Sequence, residues 1–434
     1  MGWSSATRAA KARRMCEPDK GASPAARVAL AAMARADEYA ATTLTGALFT
    51  VAPPSPRRST VPPVTPIREL LVMTVGDTCN LACRYCYEAA RRGQGPDRRM
   101  RIETLRRILD NVLPYVRPPF LLAWHGGEPL LMGREFFEEA LDLVRDVAGG
   151  DWVMMGLQTN ATLLDAGWAE LLRKHSVGVG VSLDGPPAAH DAQRVTPNGA
   201  GTYAQTLRGI GALRDAGVPF GTIAVIDAAH AATPGSAKAL FEHFGELGIR
   251  SYDVHPSLTH TAAGRWANLS PADYSRFMID LFERWIGEGD PDIRIGFFEH
   301  FFQGMTGQKS ETCYLSGACA SVLGVGPQGW AIPCTRPFDA AFTFGNLAER
   351  SLPDILRDPP FQRFKREETA GRGDLRSCQW SSLCAAGCPH DRVRDDRQAI
   401  DGANVYCTCQ TGAQGGYPAI FGHIRARIEA IVRA

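Results

Sequence analysis

From Glu69 to Pro256 the chain alternates short apolar runs with longer mixed stretches. The runs at 69–75, 120–124, 152–157, 177–183, 219–226 and 250–255 have the length of strands, and the stretches near 102–116, 133–148, 163–175, 201–216 and 236–247 read as helices. Strands that alternate with helices at this rhythm predict a parallel sheet with crossover helices. The predicted fold class is therefore α/β, a partial (β/α)6 barrel of TIM type, in which chemistry gathers at the C-terminal ends of the strands.

A further helix is expected from about Pro271 to Gly287. Residues 306–434 are loop-rich and read as a cysteine-rich accessory domain, because such a region buries too little apolar surface to fold without metal staples. Ahead of the barrel (66–305), residues 1–65 form an extension with nine Lys/Arg against four Asp/Glu. It holds a predicted helix from Ala25 to Ala41, with Ser23 as N-cap and Pro24 at the first position. Six prolines between Val51 and Pro66 mark a linker. The extension reads as a solvated basic tail.

Composition narrows the classes. The 434 residues are 45% hydrophobic and 21% charged, as in a soluble globular protein. A net charge of +1 argues for neither nucleic acid nor anionic membrane as partner. No apolar run is long enough for a membrane span, and the N-terminus lacks the apolar core of a secretory signal. The expected location is the cytoplasm. In that reducing compartment, the 12 cysteines read as metal ligands rather than disulfides. Cys16 stands alone, three lie at 79–86, and eight fall between 313 and 409.

The early group is Cys79-x3-Cys83-x2-Cys86, in the sequence Thr78-Cys79-Asn80-Leu81-Ala82-Cys83-Arg84-Tyr85-Cys86-Tyr87. Thiolates are the preferred ligands of iron–sulfur clusters. Three of them on a four-iron cube leave one iron open to a small molecule, as catalytic zinc sites keep an open position. With Tyr85 before its third cysteine, the array resembles the signature of the radical S-adenosylmethionine (SAM) superfamily. That resemblance implies a 4Fe-4S cluster on Cys79, Cys83 and Cys86. Its open iron chelates SAM, which is cleaved reductively to a 5′-deoxyadenosyl radical that takes hydrogen from substrate. The alternative for the array alone is a zinc knuckle.

Further motifs follow at successive strand ends. Gly126-Gly127-Glu128-Pro129 resembles the family's GGEP element, which implies that Glu128 accepts from the methionine ammonium of SAM. Gln158-Thr159-Asn160 and Ser182-Leu183-Asp184-Gly185-Pro186, followed by His190-Asp191-Ala192-Gln193-Arg194, resemble elements of the SPASM-containing branch. There, Gln158, Asn160, Ser182 and Asp184 would hold the carboxylate and ribose of SAM. Arg194 would join them or pin its loop through Asp191, and Ile226 would flank adenine. Asp253 and His255 close the sixth strand and are candidates to face substrate, His255 as proton acceptor.

The late cysteines, Cys313-x5-Cys319-x9-Gly329-x4-Cys334, then Cys378-x5-Cys384-x3-Cys388, Cys407 and Cys409, resemble a SPASM domain. The resemblance implies two auxiliary clusters, the first on Cys313, Cys319, Cys334 and Cys388. Cys378, Cys384 and a late cysteine would bind the second. Leu375 stands where that pattern has a further cysteine. Either this cluster has an open or non-cysteine ligand, or Cys407 and Cys409 both serve it, the reading favoured here. A zinc ribbon is the alternative. Thr335 stands where anaerobic sulfatase maturases carry the aspartate that serves as base. Asp339 is the nearest replacement.

The resemblance implies a peptide maturase that installs a carbon–carbon or thioether crosslink in a ribosomally made precursor. A flavodoxin- or ferredoxin-type donor would supply its electron. A formylglycine-type or other two-electron oxidation is the second reading. A non-catalytic iron–sulfur or zinc protein is the third.

Overall fold

The computed structural model describes residues 23–34, 67–89, 99–260, 266–305, 307, 313–336, 340–373, 378–392, 404–412 and 414–433. Cys16, Asp339, Leu375, the side chain of Cys313 and the proline-rich stretch before residue 67 lie outside the described residues.

Six parallel strands stand side by side in chain order: β1 (Glu69–Met73), β2 (Phe120–His125), β3 (Val153–Thr159), β4 (Gly178–Ser182), β5 (Phe220–Ile226) and β6 (Ser251–Pro256). Each matches its sequence run to within about two residues. The helices are α1 (Pro24–Ala34), α2 (Ile102–Val112), α3 (Arg134–Ala148), α4 (Ala166–Lys174), α5 (Pro187–Gln193), α6 (Tyr203–Asp215), α7 (Ala228–Ala232), α8 (Ser236–Glu246) and α9 (Pro271–Glu288). Local chemistry sets several ends. Asp165 caps α4 by accepting from Trp168 N at 2.9 Å, and Ser270 caps α9 by accepting from Asp273 N at 3.1 Å.

Successive side chains of a strand point to opposite faces, so each strand has an inner and an outer set. The outer set packs under the helices. Trp124 meets Phe137 edge-to-face at 5.4 Å, and Phe137 meets Trp168 at 5.3 Å. Truncating one such buried ring to alanine costs about 3–5 kcal/mol. The inner set is smaller: Leu71, Leu121, Ala123, Met154 and Val322 form a separate apolar cluster inside the barrel.

Strands from the C-terminal region join the barrel sheet. Hairpin β7 (Leu258–His260) and β8 (Trp266–Asn268) is followed by β9 (Arg294–Ile295), which extends the sheet beyond β6. On the other side β10 (Val322–Val325) lies parallel to β1, with Glu69 opposite Val322. Strands β11 (Trp330–Ile332) and β12 (Gly345–Asn346) then continue antiparallel, giving ten strands in all. One departure concerns α1, expected on a solvated tail. Ser23 caps it as predicted, through Ala26 N at 3.3 Å. Val28, Ala29 and Ala32 are nonetheless buried, and α1 packs on α9, α10 (Gly296–Met305) and the last helix, Gly416–Arg433. No described helix is long and apolar enough to cross a membrane.

Candidate active site

The loop after β1 carries the first three cysteines and is clamped from two sides. Gly127 N donates to Gly76 O at 2.8 Å, and Glu128 N donates to Thr78 O at 2.9 Å. Ala82 N and Arg84 N donate to Val195 O and Gln193 O at 2.7 and 2.9 Å. The paired glycines are needed for this approach. A Cβ on Gly127 would lie 1.9 Å from Thr78 O, and Gly126 has a φ of +103°. Cys79, Cys83 and Cys86 thereby line a cavity of about 290 Å³ inside the barrel.

The strand-end groups divide into wall and support. Gly126, Gly127, Gln158, Asn160, Ser182, Arg194 and Tyr85 line the cavity. Gln158 Nε2 donates to Ser182 Oγ at 3.0 Å, while its Oε1 is buried without a partner. That orphaned acceptor, beside the open cysteine array, fits a bound polar cofactor such as SAM. Asn160 ties this wall to the cysteine loop, donating to Asn80 Oδ1 at 2.9 Å with Cys79 Sγ at 3.8 Å.

Glu128, expected to meet an ammonium group, is not in the wall. It is fully buried, with Oε1 accepting from Leu130 N and Thr159 Oγ1, and Oε2 from Asn160 N at 2.8 Å. Burial pushes its carboxyl up to about 7. It joins the β2 and β3 ends, and Pro129 opens the short turn that follows.

Asp184 also lies behind the wall. It accepts from Tyr85 Oη at 2.5 Å, Arg194 Nε and Nη2 at 3.0 and 3.1 Å, and Val225 N at 2.9 Å. Arg194 therefore pairs with Asp184, not with Asp191, which instead accepts from Tyr203 N. Its guanidinium stacks over the Tyr85 ring at 5.4 Å. Ile226 faces the helix layer, and Ile223 and Val225, at the opposite parity on β5, supply the apolar wall.

At β6 the expected pair divides between support and wall, with His255 Nε2 3.5 Å from Asp253 Oδ2. Asp253 is fully buried and accepts from Val254 N, Phe297 N and Tyr314 Oη at 2.9, 3.1 and 2.9 Å. Burial raises its carboxyl to about 7. His255 does line the cavity. Burial, and then the nearby Arg336 charge, push it down to about 3, which keeps the imidazole neutral and makes it a poor base near neutral pH.

Several wall residues had not been singled out in the sequence. His125 accepts from Gly126 N at 2.8 Å through Nδ1 and is pushed down to about 4 by burial. Tyr87 and Thr335 share a hydrogen bond that bridges the cysteine loop to the β11 side, and Glu88 and Arg336 stand beside them. Glu69, at the opposite end of β1 from the cysteine loop, also lines the cavity. The detectable signal for Glu69 was an acid at inner parity in an otherwise apolar strand.

The late cysteines fall into two groups. Gly329, with φ of +89°, turns the β10–β11 hairpin so that Cys334 returns under Gly324 and packs on the inner cluster. Cys319, Cys334 and Cys388 line the same cavity as the first three. Arg336 Nη1 lies 4.0 Å from Cys388 Sγ and 3.0 Å from Asp391 Oδ1. Cys378 and Cys409 lie with sulfurs 3.3 Å apart, and Cys384 senses the charges of Cys407, Cys378 and Cys409. Between Cys384 and Cys388, Ala385, Ala386 and Gly387 are all left-handed, with φ of 44°, 67° and 71°. That costly backbone sends two cysteines four positions apart into different groups.

A model of the Radical SAM superfamily matches residues 73–228, and one of the SPASM iron–sulfur cluster-binding domain matches 317–389. The serine-type anaerobic sulfatase-maturating enzyme of Klebsiella aerogenes is 31% identical over 327 residues, 74% of this chain and 79% of that one. The cysteine-type enzyme of Clostridium perfringens (strain 13 / Type A) is 26% identical over 352 residues, covering 79% and 94%. A solved structure of native anSMEcpe with bound AdoMet and Cp18Cys peptide matches with a TM-score of 0.74 at 25% identity, over 84% of this chain and 99% of that one. Streptococcus suis SuiB bound to S-adenosylmethionine shares the fold, with a TM-score of 0.54 at 17% identity, over 74% and 72%. With these relatives, the chain belongs to the radical SAM superfamily, in its SPASM-containing branch: an enzyme that uses 4Fe-4S clusters and SAM.

Proposed function

We propose that this enzyme oxidises a hydroxyl- or thiol-bearing residue of a peptide or protein by two electrons. The observation that carries the reading is one cavity lined by two sets of thiols, Cys79, Cys83 and Cys86 together with Cys319, Cys334 and Cys388. The serine-type and cysteine-type maturases among its relatives support the substrate class.

The first set would hold the SAM-binding cluster. Cys319, Cys334 and Cys388, with Cys313, would hold the first auxiliary cluster, and Cys378, Cys384, Cys407 and Cys409 the second. When bound, SAM with its cluster supplies the hydrogen-atom acceptor, and an auxiliary cluster the electron acceptor. Gln158, Asn160 and Ser182 would orient SAM, with Ile223 and Val225 against its adenine. Leu71, Leu81 and Val322 complete a largely apolar wall that keeps water from the reacting carbon. A cytoplasmic flavodoxin- or ferredoxin-type protein would reduce the first cluster.

The crosslink is retained as a second reading. It is favoured by Thr335, which leaves no carboxylate directly after Cys334. Anaerobic reconstitution with dithionite, SAM and synthetic serine- or cysteine-containing peptides tests both. Formation of 5′-deoxyadenosine with a peptide aldehyde supports oxidation. An internally bridged peptide that has lost two hydrogens and carries no aldehyde supports crosslinking. Absence of 5′-deoxyadenosine from enzyme with a full first cluster refutes both.

A further inference from the structure

A two-electron oxidation needs somewhere to put a proton. In a side chain –CH2–XH, with X oxygen or sulfur, one C–H bond and the X–H bond break and a second C–X bond forms. The hydrogen atom goes to the SAM-derived acceptor and the electron to an oxidised iron–sulfur cluster, leaving the proton on X. Of the carboxyl groups found around the cavity, Glu88 sits beside Tyr87 and Cys334, two residues from Cys86, and Glu128 and Asp253 are each engaged by three donors. Position 335 carries a threonine whose hydroxyl is taken up by Tyr87.

Glu69 differs from Glu128 and Asp253. It is fully buried, both of its carboxyl oxygens are without a hydrogen-bond partner, and it lines the cavity. A buried acid left so costs folding free energy that no neighbour returns, so its partner is to be sought in what enters the cavity. Its position is equally specific. Glu69 stands opposite Val322 on β10, and Gly324 stands opposite Ile332 on β11. Beyond Ile332 the chain turns under the sheet: the Cys334 backbone lies against the inner face at Gly324, two residues along β10 from Val322, and its side chain packs on the inner cluster. Glu69 and Cys334 thus both line the one cavity, from β1 and from the chain that follows β11. Glu69 and Thr335 line the same cavity.

We propose that Glu69 is the proton acceptor for the substrate residue, serving from β1 the role for which Thr335 has no carboxylate. The proposal rests on the oxidation proposed above. With its carboxyl raised by burial to about 8, Glu69 accepts a proton only in its ionised fraction, which grows as pH rises toward that value. Besides the six cysteines, the other titratable groups facing the cavity are Tyr85, Tyr87 and Glu88 from the cysteine loop, His125 from β2, Arg194 after α5, His255 from β6, and Tyr314 and Arg336 from the C-terminal region.

The test uses cluster-loaded Glu69→Gln and Glu69→Asp enzymes with the synthetic serine- and cysteine-containing peptides. Iron content and SAM binding confirm folding. In Glu69→Gln, oxidised peptide per 5′-deoxyadenosine is expected to fall at least about 100-fold, the scale of a lost general base. Glu69→Asp is expected to recover part of it, and the rising alkaline limb of the wild-type pH profile is expected to vanish in Glu69→Gln. Independently of turnover, the infrared carbonyl band of a protonated carboxyl should be lost in Glu69→Gln and, in wild type, should shift when peptide binds. An unchanged product ratio in Glu69→Gln, or a band indifferent to peptide, overturns the assignment while leaving the oxidation standing. Wild-type enzyme that makes 5′-deoxyadenosine but oxidises neither peptide refutes the oxidation, and the assignment falls with it.

Discussion

The protonation of Glu69 has a thermodynamic signature that needs no substrate. Burial raises its carboxyl from 4.5 to about 8. The folded chain therefore holds a proton that the unfolded chain has released over that interval. The stability associated with the neutral acid is complete below pH 4.5, is lost steadily as pH rises, and is gone above about pH 8. Each pH unit in the window costs about 1.4 kcal/mol, so by pH 7 wild type has lost about 3 kcal/mol relative to a side chain that cannot ionise. Glu69→Gln is that side chain. Its buried amide adds a cost of about 1–3 kcal/mol that does not vary with pH. The diagnostic is thus the slope of the difference, not its sign at one pH. Glu128 and Asp253 also titrate near 7, but they are common to both proteins and cancel. Anaerobic urea denaturation of cluster-loaded enzyme, from about pH 5 to about pH 8, should show the variant gaining on wild type throughout. A difference that stays flat across this window would refute the claim that Glu69 is a neutral acid in the folded protein.

Three other perturbations probe the site's construction. Gly127→Ala drives a Cβ to 1.9 Å from Thr78 O, so the cysteine loop should shift; iron analysis and electron paramagnetic resonance should find the first cluster lost and the auxiliary signals kept. Asp184→Asn leaves the Arg194 guanidinium buried without its counter-charge, which should cost about 3–5 kcal/mol in denaturation and weaken SAM binding measured by equilibrium dialysis; unchanged binding would remove Asp184 from the cradle. Cys409→Ser takes away a thiol 3.3 Å from Cys378, and should lower iron by one cluster while SAM cleavage continues; full iron retention would show that Cys407 alone suffices.

What the sequence disclosed follows the range of the interactions involved. Strands and helices were readable because their signals are local: short apolar runs, Ser23 and Pro24 at a helix start, glycines where Thr78 O presses close. The split of Cys384 from Cys388 was carried by motif spacing, and the left-handed turn between them is its physical means. Ile226 was misassigned for a local reason too, since strand parity alone gives the wall to Ile223 and Val225. The deep end was a different matter. Residues 322–325 make a four-residue strand inside a loop-rich region, and what defines it is pairing with β1, far away in the chain. Without β10, β1 would be the edge of the six-stranded barrel sheet, and an acid opening it would read as an ordinary solvated strand start. The added strand covers that edge, sets Val322 opposite Glu69, and starts the hairpin that carries Cys334 onto the inner cluster. One pairing thus buries the carboxyl and anchors the hairpin that bears Cys334, so the proposed proton acceptor and a thiol proposed to hold the electron acceptor are set into one cavity by a single structural event.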